Sequence, residues 1–131
     1  IDWRWQLIRG VGTDIVQVGR IGTAIKRTPM FLEKVFTEEE RKYFKSRNNN
    51  LETIAGNFAA KEAISKAMGT GISGFGLLDI EILRNEMGQP IANISDKVKE
   101  VISIKEDYSI HVSISHTNEN AIAFAIWEEM T

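Results

Sequence analysis

Cysteine is absent from this chain of 131 residues. That absence excludes disulfide scaffolding, thiolate catalysis and cysteine metal sites, and it fits a reducing compartment. Long apolar runs are missing as well. No stretch approaches the ~20 residues that a membrane span needs, and no signal-peptide pattern is present. The expectation is therefore a cytoplasmic protein that makes no use of a membrane. A dominant charge is missing too, since 16 basic and 18 acidic residues leave −2 at pH 7. With that balance and no recognised nucleic-acid motif, nucleic acid is not an expected partner. Repeats and low-complexity segments are not found. A chain of this length can bury a core without cross-links, and one domain is expected.

What is present is unevenly spread. From Arg20 to Arg47 eight basic residues face four acidic ones, so this stretch is +4 and the remainder −6. A basic segment on an otherwise acidic chain predicts an acidic partner or an anionic ligand. The plainer alternative is a pair of solvated helices with scattered lysines. The first six residues, IDWRWQ, differ from the rest and are set apart as an N-terminal extension, either native packing or a remnant of cloning. The domain is assigned to residues 7–131.

Leu7–Val16 is β-rich without helical period and predicts a buried strand, in which Gly10 and Gly12 mark close backbone approach. A short helix or turn follows, ended by Pro29. Thr37 and Glu40 have the spacing of a capping box. Glutamates early and basic residues late then suit the dipole of the helix that begins there. A long helix is predicted from about Leu51 to Met68, ending in the glycine-rich GTGISGFG at 69–76. LLDIEILRN and IANI predict strands around a tight turn. Ser95 can cap a modest helix. YSIHVSISH alternates cleanly, TNEN turns the chain, and AIAFAIWEE returns as the second arm of a hairpin. The sum is α+β, a mainly antiparallel sheet packed on one long helix.

That helix has an odd polar side. At about 100° per residue, Gly56, Ala60, Ala63, Ile64, Ala67 and Met68 share one apolar side. Opposite stand only Glu62 and Lys66, one turn apart, flanked by Ala55, Ala59 and Gly69. An ordinary surface helix fills such a side with long charged residues. An acid and a base in a groove of small side chains predict that something packs or binds closely there.

Three polar residues sit against the pattern: Asp14 in an apolar strand, Glu62 in the groove, and His116 at the end of a strand. Each has a plain reading. Asp14 can cap the next helix, Glu62 and Lys66 can be a surface pair, and His116 can be a turn residue. Taken together they read differently. Two carboxylates from different elements are hard ligands, and with phosphate oxygens and water they make the usual magnesium environment. Lys66 is placed to meet a phosphate, and backbone N–H groups of the loop that begins at Gly69 and includes Gly71 suit an anion. A histidine adds a donor or an acid/base group. The combination points to a diphosphate ligand.

Three motifs carry a resemblance: GVGTDIVQVGRI near the start, NFAAKEAISKAMGTGI in the middle and VSISHTNENAIAFAI near the end. In order and spacing the chain resembles the holo-acyl-carrier-protein synthases, the small stand-alone 4′-phosphopantetheinyl transferases, over roughly Ile8 to Glu128. The resemblance implies Mg²⁺-dependent transfer of 4′-phosphopantetheine from coenzyme A to a serine of apo-acyl carrier protein, with adenosine 3′,5′-bisphosphate as the other product, in support of fatty acid synthesis. It implies that Asp14 and Glu62 hold the metal, that Lys66 contacts the diphosphate, and that His116 and Thr117 contact coenzyme A phosphates. The catalytic group is then Asp14, Glu62, Lys66 and His116. Arg20 matches an arginine that meets the carrier, and Arg27 on the same basic stretch joins it. Family members of this size are homotrimers with sites at subunit interfaces. Two positions depart from the family. Several relatives have a basic residue where this chain has Asn57, and often a glutamate where it has Gln17. Two other readings compete: a non-catalytic coenzyme A or nucleotide-binding module, and an interaction domain whose basic segment docks an acidic partner.

Overall fold

The chain is described here by a computed structural model, covering residues 5–69, 74–104 and 107–130. Two antiparallel sheets and five α-helices are formed among these residues. The first sheet has the order β1 (Gln6–Gln17), β5 (Asn120–Met130), β4 (Tyr108–His116), so the predicted hairpin pairs with the first strand. The second is the hairpin of β2 (Ile80–Arg84) and β3 (Pro90–Ile94). The helices are α1 (Val18–Arg27), α2 (Phe31–Val35), α3 (Glu38–Ser46), α4 (Leu51–Ala67) and α5 (Asp96–Val101). The α+β class is as expected. The further helices expected after Val16, from Thr37 and after Ser95 are present too, but one sheet on one long helix is too simple, because a second sheet and four shorter helices enclose the 17-residue α4.

α4 is central because β1 and most of β5 turn small residues to the inner face of the large sheet. Ala121, Ala123 and Ala125 of β5 are buried there. On β1 a side chain at Gly10 would overlap the carbonyl oxygen of Ala67, and one at Gly12 would overlap that of Ala63. On α4 a side chain at Gly56 would meet Ile114 of β4 at 2.9 Å. The helix thus crosses the sheet from β4 to β1 in close contact. Gly12→Ala is expected to destabilise by ~3 kcal/mol or more, because the obstacle is backbone that cannot swing aside. Urea unfolding checks this, and an unchanged midpoint would mean that helix and strand can separate freely.

The rest of α4 is covered as well. Ile54 and Ala55 pack with Val18, Ile21, Val35, Phe36 and Phe44 of the preceding helices, and Ile64 with Ile80 and Ile82 of β2. Ala55 and Ala59, expected to line an open groove, are fully buried. The polar side is sparse chiefly because protein fills it. Lys61 and Asn57 are buried on the helix and lead into a network. Lys61 Nζ donates to Glu40 at 2.5 Å and to the carbonyls of Val35, Leu77 and Ile80 at 2.9, 3.0 and 2.7 Å. Glu40 is the predicted capping residue of α3, accepting from the Thr37 amide at 3.0 Å. Its other oxygen accepts from Asn57 and from the Ile82 amide, both at 3.2 Å.

β1 corrects a second expectation. It is an edge strand with one open side, not a buried one. Val11 and Ile15 on β1, with Ile122 and Phe124 on β5, lie on the outer face of the sheet and are 40–64% exposed. Thr13 pairs with Phe124 and Ile15 with Ile122, so these side chains form one continuous apolar patch.

Candidate active site

Asp14 lies on the same inward row of β1 as Gly10 and Gly12, opposite Ala123. The close approach of α4 to that row brings Asp14 beside the helix flank that carries Glu62 and Lys66. Lys66 Nζ donates to Asp14 Oδ1 at 3.1 Å and to the carbonyl oxygen of Thr13 at 3.0 Å. Glu62 is half-buried. Burial, then the Asp14 carboxylate, raise its pKa above the ordinary glutamate value of 4.5, with Lys66 opposing. Asp14, Glu62 and Lys66 therefore form one cluster, as the sequence predicts.

A half-buried carboxylate whose proton affinity is raised by burial and by a second carboxylate beside it marks a place where positive charge is favoured. Among the described residues no three His, Cys, Asp or Glu side chains gather that could hold a metal ion alone. A pair of hard oxygen donors fits Mg²⁺, which keeps water and takes the rest of its shell from phosphate. Asp14 and Glu62 are the residues that would hold it.

His116 is elsewhere. It sits on β4, the opposite edge strand from β1, and its Nδ1 is 3.2 Å from Glu52. Glu52 is ten residues before Glu62 on α4, roughly 15 Å along the helix axis. Thr117 is in the β4–β5 turn, where its hydroxyl oxygen accepts from the amides of Glu119 and Asn120. Gly69 ends α4 at φ +75°, and its amide donates to the Lys66 carbonyl at 3.0 Å. Gly71 lies outside the described residues. Arg20 and Arg27 are exposed on α1, seven residues apart and so on one face.

The 4′-phosphopantetheinyl transferase superfamily matches this chain over residues 10–125. The chain belongs to that family. It is 59% identical to a holo-[acyl-carrier-protein] synthase of Clostridium beijerinckii over 122 residues, which cover 93% of this chain and 98% of the relative. Among solved structures it is similar to the Helicobacter pylori holo-[acyl-carrier-protein] synthase in complex with coenzyme A. That match has a TM-score of 0.79 and 35% identity, covering 89% of this chain and 98% of the other. The Bacillus anthracis synthase in complex with CoA (3′,5′-ADP) matches with a TM-score of 0.76 and 37% identity, covering 93% and 97%. The protein is thus an enzyme of the phosphopantetheinyl transferase class, similar in sequence and structure to holo-acyl-carrier-protein synthases.

The transferase has a second polar region that sequence reasoning did not find. An open cavity of about 220 Å³ is lined by Tyr43, Glu52, Arg84 and His116, among others. Arg84, at the end of β2, donates from Nη2 to Asn57 Oδ1 at 2.9 Å. Its guanidinium carbon is 5.0 Å from the centre of the Tyr43 ring, and that of Arg47 is 5.6 Å from the same ring. Asn57 stood out in the sequence as a departure from relatives. Nothing in the sequence says that its carboxamide receives an arginine from 27 residues further on.

Proposed function

We propose that this protein transfers 4′-phosphopantetheine from coenzyme A to a serine of apo-acyl carrier protein, with Mg²⁺, in the cytoplasm and in support of fatty acid synthesis. The Asp14–Glu62–Lys66 cluster is the observation that carries the reading. The serine oxygen bonds to the phosphorus that bears pantetheine. The bond from that phosphorus to the oxygen of adenosine 3′,5′-bisphosphate breaks, and the hydroxyl proton passes to a base. Such a transfer needs in-line placement and neutralisation of charge on the bridging oxygens. Bound by Asp14 and Glu62, Mg²⁺ supplies charge to the diphosphate. Lys66 supplies a second cation on a rigid, buried helix, which keeps it aligned. We assign the backbone after Gly69, Gly71 included, to the diphosphate, and His116 and Thr117 to coenzyme phosphates.

Intact-mass spectrometry of apo-acyl carrier protein with coenzyme A, Mg²⁺ and this protein is the test. A gain of one phosphopantetheine, lost with chelator, supports the reading. No gain on several apo-carriers would favour a coenzyme-binding module.

Acyl carrier protein is an acidic substrate, and the exposed arginines of α1 are the matching surface. Arg20→Glu is expected to raise the KM for carrier roughly tenfold, with a smaller change for coenzyme A and a weaker effect at high salt. A larger change in the coenzyme KM would move Arg20 to the coenzyme site. We further infer a homotrimer. The apolar patch of Val11, Ile15, Ile122 and Phe124 supports it, since contiguous apolar surface of this kind marks interfaces. The separation of His116 from Glu62 is consistent with a site completed by a neighbouring subunit. Light scattering should give three times the chain mass, with Phe124→Asp shifting it towards one. A wild-type monomer at working concentration would remove the trimer.

A further inference from the structure

We propose that Arg84, positioned by Asn57 and Tyr43, is the residue by which this protein selects a donor carrying a phosphate monoester, the 3′-phosphate of coenzyme A. This rests on the coenzyme reading above. It adds a residue and a positioning chain at Asn57, a position where several relatives have a basic residue.

The argument begins in the core. Asn57 is fully buried, and its orientation is set on both ends. Its amide nitrogen donates to Glu40 Oε2 at 3.2 Å and to the Ile82 carbonyl at 2.9 Å. An amide nitrogen has only donors, so this leaves the oxygen facing Arg84, where it accepts from Nη2. Glu40 is itself held by Lys61. A chain of hydrogen bonds thus runs from the buried ammonium to a guanidinium on the cavity wall. Tyr43 supplies the second constraint, a ring face for the guanidinium to stack on.

Arg84 has donors to spare. Of its five N–H groups, two are accounted for, by Asn57 and by the Leu83 carbonyl at 3.3 Å. Among the described residues neither Arg84 nor Arg47 has an ion pair with a carboxylate, yet both guanidiniums stack on the one Tyr43 ring. Two such cations side by side repel unless an anion lies between or before them. The carboxylate that does line the cavity, Glu52, lies 3.2 Å from His116 Nδ1 and makes no ion pair with either guanidinium among the described residues. A phosphate monoester carries about two negative charges at neutral pH, and a guanidinium fork matches its oxygens in geometry as well as charge.

Binding of adenosine 3′,5′-bisphosphate and of adenosine 5′-monophosphate is to be measured by calorimetry with the wild type, Arg84→Met, Arg84→Lys and Asn57→Ala. The ratio of the two affinities is the readout. The wild type should prefer the bisphosphate by roughly tenfold to a hundredfold. Arg84→Met should bring the ratio close to one, and Arg84→Lys should keep part of it. Asn57→Ala, which leaves the charge but removes its support, should lower the ratio as well as the melting temperature. If Asn57 were only a structural strut, the melting temperature would fall and the ratio would stay. An unaltered ratio in Arg84→Met, or no preference in the wild type, overturns the proposal. The transferase reading fails separately. No mass gain on the carrier, with a ratio that still collapses in Arg84→Met, would leave a phosphate-reading site without transfer.

Discussion

Asp14→Asn is expected to lower the rate of transfer by roughly 10³-fold, through loss of charge stabilisation at the diphosphate, while the fold persists. The substitution keeps an oxygen for Lys66 and adds no bulk, so single-turnover rates can be compared directly. A rate within a factor of two of wild type would remove Asp14 from the metal site. Glu62→Gln should do the same to turnover, but with a signature in stability that a merely structural carboxylate would lack. Burial and Asp14 raise the folded pKa of Glu62 above its ordinary value of 4.5. The ionised form is thus disfavoured in the folded chain. Above the folded pKa this costs stability, and below the unfolded value the cost disappears. Without metal, Glu62→Gln should therefore melt a few degrees higher than wild type at pH 8, and the difference should close on acidification towards pH 4. The same shift means that apparent Mg²⁺ affinity weakens as pH falls, starting at a higher pH than for an unperturbed glutamate, because the ion needs the carboxylate deprotonated. A lower melting temperature for Glu62→Gln at pH 8 would refute the repulsion account.

The cluster could be read in advance because its causes are local. Glu62 and Lys66 are four residues apart on one helix. Gly10 and Gly12 announce that something comes close to the strand just before Asp14, and α4 does. The Thr37–Glu40 box was equally readable, since its partners are three residues apart. The same Glu40 shows where such reading ends. The cap is present, but the other half of the carboxylate binds Asn57 and Ile82, and Lys61 is 21 residues away in sequence. No periodicity marks that link. On a helical wheel Lys61 is simply one more polar residue beside Glu62. β1 was misread for a different reason. Its apolar residues fall on both faces, which resembles burial inside one chain. The outer face is left bare here, and alternation cannot say whether a covering surface belongs to the same chain or to another copy. Arg84 stayed hidden because its role depends on the register that brings the end of β2 to Asn57.

Lys61→Met is expected to have the largest effect on stability, about 3–5 kcal/mol, as breaking one partner of a buried ion pair does. Burial pushes Glu40 up and Lys61 down, and each is held back by the charge of the other. Removing the ammonium leaves the carboxylate uncompensated. In many proteins, replacing both partners by apolar residues restores stability. That should not happen here. Lys61 also satisfies three backbone carbonyls, and Glu40 accepts from two backbone amides and from Asn57. A double apolar replacement would strip three backbone carbonyls and two backbone amides of these partners, and Asn57 of one of its own. Glu40→Leu combined with Lys61→Met should thus remain well below wild type, although Glu40→Leu should cost less in that background than alone, because no unpaired ammonium is then left. Urea unfolding of the four proteins at one protein concentration gives this coupling, and strict additivity would mean that the pair does not interact. Lys61→Arg should not rescue. The site is fully enclosed, and its three carbonyls and one carboxylate converge on a compact ammonium that donates in three directions, whereas a planar guanidinium needs more room and donates in a plane. Since Glu62 is the next residue on the same helix, any opening of this site is expected to appear in turnover before it appears as global unfolding.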